Sequence, residues 1–90
     1  MAVAALKIKV MPLAGIDLKE LKEKIEKALK KAGAIRIESI EEQEIAFGLK
    51  ALIVTIAWPE EKETGEAEEA IRGIEEVSSL DIIDYRRAFG

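Results

Sequence analysis

Ninety residues, 49% of them apolar and 36% charged, describe one small folded domain spanning residues 1–90 and not a disordered chain. The absence of cysteine and histidine excludes disulfides, thiol chemistry, Ser-His and Cys-His nucleophiles and the usual transition-metal sites. A net charge of -4 disfavours nonspecific attraction to nucleic-acid phosphate and suits a protein partner better.

The Met1 end lacks a basic, apolar, small-residue signal pattern, and no apolar run approaches membrane-spanning length. The expected compartment is therefore the cytoplasm, with no membrane partner. Residues Val3 to Met11 alternate, with Ala4, Leu6, Ile8 and Val10 on one parity and Lys7 and Lys9 on the other. That is a half-buried strand, ended by Pro12 because proline cannot continue a ladder.

Asp17 opens a helix as an N-cap, and Glu20 three residues later completes a capping-box-like pair. Leu18, Leu21, Ile25, Ala28, Leu29 and Ala32 form its apolar stripe. Glu20–Lys24, Glu23–Lys27 and Glu26–Lys30 are i,i+4 pairs in the favourable orientation, and Gly33 stops the helix.

A second strand runs from Ile35 to Ile45. Ile35 and Ile37 share a parity that Ile40 breaks, which predicts a bulge near Ser39. Leu49 to Trp58 is apolar on both parities, as a central strand requires, and Pro59 ends it. After the acidic loop Glu60 to Glu63, Thr64 is the expected cap of a second helix. Its inward residues are Ala67, Ala70, Ile71 and Ile74, while Gly65 and Gly73 weaken it by roughly 1 kcal/mol each. Val77 to Arg87 is the last strand, with Leu80 and Ile82 on one parity and Ile83 and Tyr85 on the other. The order β-α-β-β-α-β predicts an α+β ferredoxin-like sandwich: a four-stranded antiparallel sheet in the order 4-1-3-2, with both helices on one face.

The segment Ala46-Phe47-Gly48-Leu49-Lys50-Ala51-Leu52 stands out. A tip between two strands normally takes polar residues. Phe47 there either plugs the core, beside Leu13 or Ile16, or is an exposed apolar anchor for a partner. Gly48 permits a tight turn. Arg86 and Arg87, after Asp84 and Tyr85, either form a solvated end that guards a sheet edge or deliver a cation to a partner's anionic site.

Catalytic motifs are lacking. Paired carboxylates are everywhere in a chain this acidic, and no glycine-rich phosphate loop supports an acylphosphatase-like reaction. The glutamate runs lack the loop pattern of a calcium site, so no metal or cofactor is implied. Two other functions suit the fold. A single-stranded RNA-binding module needs aromatics on the central strands, where this chain offers only Trp58, with Lys7 and Lys9 nearby. A regulatory or assembly domain would pair sheet edges between copies.

Four stretches together resemble a family: Leu6-Lys7-Ile8-Lys9-Val10-Met11-Pro12, the helix opening Asp17-Leu18, Ile45-Ala46-Phe47-Gly48-Leu49-Lys50-Ala51-Leu52, and Leu80-Asp81-Ile82-Ile83-Asp84-Tyr85-Arg86-Arg87. The chain is similar over its whole length to archaeal-type translation elongation factor 1-beta, the guanine-nucleotide exchange factor of elongation factor 1-alpha. The Phe-Gly-hydrophobic-Lys segment is the most specific match. The resemblance implies the ferredoxin-like fold and GDP release from a GTP-binding elongation factor, without covalent chemistry. It implies a contact surface holding Phe47, Gly48 and Lys50. It also implies that the C-terminal strand end, Tyr85-Arg86-Arg87, approaches the partner's nucleotide site. The family's eukaryotic members use a near-terminal lysine there; the matching position is Arg87, a larger, forked cation, and the chain continues through Ala88-Phe89-Gly90.

Overall fold

Strict alternation in β1 (Val3–Pro12) places Ala4, Leu6, Ile8 and Val10 wholly out of water in the computed structural model, which describes residues 2–87. The remaining elements are α1 (Leu18–Ala32), β2 (Arg36–Glu44), β3 (Lys50–Pro59), α2 (Thr64–Arg72) and β4 (Val77–Arg87). The strands pair antiparallel in the order β2-β3-β1-β4, the expected arrangement with the first and third strands central. The architecture is the ferredoxin-like α+β sandwich.

Register sorts the side chains. Leu6 lies opposite Ile56, Ile8 opposite Val54, Val10 opposite Leu52 and Ala4 opposite Trp58, and all eight are buried. Leu21, Ile25 and Leu29 of α1 and Ala67 and Ile71 of α2 join the same core. Burying each of the larger side chains contributes about 1.5–3 kcal/mol, so this layer supplies most of the driving force. The register shift between Ile37 and Ser39 is the bulge that the broken parity predicts; it turns both Ile37 and Ile40 toward the core.

Asp17 caps α1 by accepting from the backbone N–H groups of Lys19 and Glu20. Gly33, at φ 116, closes it through its N–H to the carbonyls of Leu29 and Lys30, a left-handed position that glycine adopts without strain. The second helix departs from expectation. Glu63 is its N-cap and Thr64 its first helical residue, with no side-chain cap bond, because the chain is already helical at Thr64. Gly73 is the C-cap and not an interior residue, so it does not weaken the helix in the way expected.

The i,i+4 ladder on α1 is also only partly realised. Lys30 pairs with Glu26, but Lys24 turns away from Glu20 to bond Glu76, 52 residues further on. Glu42 of β2 likewise receives Lys22 of α1 and Lys50 of β3. Two of these bonds link α1 to its surroundings, Lys22 to β2 and Lys24 to the residue before β4. Bonding from Lys24 holds the Glu76 carboxyl below its usual 4.5, and bonding from Lys22 and then Lys50 does the same to Glu42. A carboxylate with a lowered folded pKa stabilises fully above its unfolded value and loses that contribution as pH falls through the folded one. The Lys24 ammonium is raised above 10.5 by Glu76, so its share is lost as pH rises beyond that value. Glu76→Gln should therefore flatten the loss of stability below pH 4.5 in denaturant titrations. Parallel acid limbs for variant and wild type would contradict this.

Candidate protein-interaction site

The turn joining β2 to β3 is built from two hydrogen bonds. Leu49 N–H donates to the Ala46 carbonyl, and Ile45 N–H donates to the Leu49 carbonyl. Both central residues have positive φ, 53 at Phe47 and 76 at Gly48, the pattern of a type I′ hairpin turn. Gly48 has no atom near where a Cβ would stand, so the conformation, and not packing, calls for glycine. Phe47 is the only non-glycine residue with positive φ among the described residues. A bulky side chain is strained there by about 1–3 kcal/mol.

That strained residue is fully exposed, at 102% of its reference area. The core-plug alternative for Phe47 is thus overturned: the type I′ turn aims the ring outward, and it packs on neither Leu13 nor Ile16. Ile45 and Leu49 on either side of the turn are exposed too, as is Leu13 in the loop after β1. A shallow groove of about 160 Å³ runs between that loop, Met11 to Ile16, and Gly48-Leu49-Lys50. Lys50 sits beside the turn with its ammonium 3.2 Å from Glu42 Oε1.

The other candidate residues lie at the far end. The register shift between Lys7 and Ile8 leaves Ile83 as an extra residue in β4 and brings Tyr85 opposite Leu6. Tyr85 therefore shares the face of Leu80 and Ile82, contrary to simple alternation, which put it with Ile83. Arg87 lies opposite Ala4, and Ala4 opposite Trp58. Phe47, before the start of β3, and Arg87, beside its end, are separated by the strand's length, about 30 Å at 3.3 Å per residue, in a body 41 Å long. Phe47, Gly48 and Lys50 form one group; Tyr85, Arg86 and Arg87 form another.

At that second end Arg86 Nε lies 3.1 Å from Asp84 Oδ2, and Arg87 Nε lies 3.2 Å from Glu60 Oε1 of the β3–α2 loop. Both guanidiniums remain largely exposed. Exposed ion pairs hold weakly, so either cation can exchange its carboxylate for a partner's anion. Ala88, Phe89 and Gly90, which follow, lie outside the described residues.

Other chemistries find little support. A concavity of about 740 Å³ between α1 and α2 is lined by alanines, Gly65 and surface Lys and Glu residues, without convergent catalytic groups. Among the described residues no three potential ligands gather as for a metal ion, and no helix is long and apolar enough to cross a membrane. Trp58 is buried; its ring lies under the Lys62 ammonium at 5.6 Å, and Nε1–H donates to the Lys62 carbonyl. It is therefore unavailable for stacking bases. Lys7 and Lys9 lie opposite Asp84 and Asp81 in the sheet.

The sequence marks neither Leu13, Ile45 and Leu49 as exposed beside Phe47 nor Glu60 as the partner of Arg87. The first three are ordinary apolar letters whose exposure follows only from the turn's direction. Glu60 meets Arg87 because β3 and β4 both flank β1.

Comparison with known proteins places these features in context. The family model described as the EF-1 guanine nucleotide exchange domain matches residues 5–87. Elongation factor 1-beta of Methanosarcina barkeri is 49% identical over 85 residues, covering 92% of this chain and 94% of that protein. The elongation factor 1-beta of Methanosphaera stadtmanae is 44% identical, covering 89% and 90%, and that of Staphylothermus marinus 45%, covering 91% and 92%.

Proposed function

The chain belongs to the EF-1 guanine nucleotide exchange domain family, and we propose that it performs exchange by gripping its partner at both ends of the sheet. Its function is guanine-nucleotide exchange on translation elongation factor 1-alpha. The fully exposed, strained Phe47 is the observation that carries the assignment of the contact surface. A side chain that buries nothing and strains its own turn earns no stability for the fold. Its use lies in a second molecule.

Phe47, with Gly48 shaping the turn and Lys50 beside it, anchors the partner through apolar contact. Tyr85, Arg86 and Arg87 reach the partner's nucleotide site from the other end. The partner must therefore span about 30 Å, the length of β3 at 3.3 Å per residue. Exchange needs no acid, base or nucleophile. A factor that binds the nucleotide-free partner more tightly than the nucleotide-bound one weakens nucleotide binding by the same ratio. Arg87 acts by competing with the nucleotide's magnesium for anionic ligands or by pairing with acids around it. Covalent chemistry, a cofactor and direct nucleic-acid contact have no part in this reading, and the site of action is the cytoplasm, where translation occurs.

Release of a fluorescent GDP analogue, measured against exchange-factor concentration, separates the two ends. Arg87→Ala should lower the maximal rate about tenfold or more, equivalent to about 1.4 kcal/mol, with little change in the half-saturating concentration. Wild-type maximal rates in Arg87→Ala would remove this end from the site.

A further inference from the structure

Four of the large exposed apolar residues, Leu13, Ile45, Phe47 and Leu49, gather at one end of the molecule. Leu13 and Leu49 line the same groove, and Ile45 is hydrogen-bonded to Leu49 across the hairpin. Leu13 is fixed in place: its N–H donates to the Glu76 carbonyl, tying the loop after β1 to the segment before β4. Phe47 stands beside this groove as a knob. We propose that the knob and the groove form one docking surface, in which Leu13 and Leu49 receive an apolar side chain of the GTP-binding partner while Phe47 enters a recess on that partner. The inference rests on the reading of Phe47 as a contact residue and extends it across the sheet to the β1–α1 loop.

Charge selects this occupant over a second copy. The strand leading to the patch carries Glu41, Glu42 and Glu44, all exposed. Only Glu42 among these is engaged by lysines, Lys22 and Lys50, among the described residues. Two copies meeting at the patch would bring these acidic strands together on chains of net charge -4. The fitting surface is an apolar recess with a basic rim. Leu13→Ser removes one wall of the groove without touching Phe47 or the core.

The test is GDP-analogue release from the cognate elongation factor 1-alpha with wild type, Phe47→Ala, Leu13→Ser and Leu49→Ser, each checked for cooperative unfolding. Leu13→Ser and Leu49→Ser should each raise the half-saturating concentration about tenfold, as loss of a buried leucine contact does, at unchanged maximal rate. Either serine variant suffices if the other fails to fold. Impaired Phe47→Ala alongside wild-type behaviour of the serine variants would overturn the groove but leave Phe47 as a contact. Wild-type behaviour of Phe47→Ala would overturn both. Sedimentation of the free chain as a dimer that Leu13→Ser dissociates would assign the patch to a second copy instead.

Discussion

Phe47→Ala should raise the concentration needed for half-maximal exchange by roughly thirtyfold, about 2 kcal/mol, the size of an interface hot spot. The same change should leave the unfolding temperature where it is. The two readouts part because the ring contacts solvent and not the core. Phe47→Asn sharpens the distinction. Asparagine tolerates positive φ far better than phenylalanine, so it should relieve the strain at φ 53 and stabilise the fold by up to about 1 kcal/mol. It should still bind as poorly as Phe47→Ala. A residue that weakens function while its replacement strengthens the fold was placed there for a partner. If Phe47→Ala instead lowered the unfolding temperature by several degrees, the ring would be part of the core in solution.

Trp58→Ala should do the opposite, costing about 3–5 kcal/mol of stability. Trp58 is wholly buried where β3 meets β1, with its Nε1–H bonded to the Lys62 carbonyl and the Lys62 ammonium over its face. Removing it opens a cavity and takes away the ring beneath Lys62, whose ammonium also pairs with Glu66 and occupies the space where a Cβ on Gly33 would stand. A domain of this size shifts its midpoint about 4–8 °C per kcal/mol, so thermal unfolding should move down by at least about 12 °C. A shift of a few degrees would mean that Trp58 is not the centre of that end of the core.

The fold was readable because its signals are local. The alternation of Ala4 to Val10, the Asp17 cap, the Gly33 stop and the parity break at Ser39 each state a short-range preference, and the structure meets each one. Strand order followed from the right-handed crossovers of two β-α-β halves, and the two-sided apolar character of β3 agrees with its central place. Contacts between distant residues were not readable. Lys24 faced a local partner in Glu20 but found Glu76, and the second bulge, at Ile83, moved Tyr85 to the other face. The Thr64 cap failed for a smaller reason: a threonine one place inside a helix looks the same in sequence as one at its threshold.

The site was half legible. Phe47 and Gly48 were conspicuous as residue types in a turn, but which way the ring points depends on backbone angles that the letters do not carry. The letters also gave no distance between Phe47 and Arg87. The sheet sets it: β3 starts beside one and ends beside the other. The two-ended grip proposed for this chain therefore belongs to the topology and to neither residue alone.

Release of a fluorescent GDP analogue from the cognate elongation factor 1-alpha, with this protein present at a small fraction of the partner's concentration, is the decisive measurement. Release should accelerate many-fold and saturate with partner concentration, as one molecule serves many in turn. An unchanged release rate from a folded preparation would contradict exchange as the function of this chain.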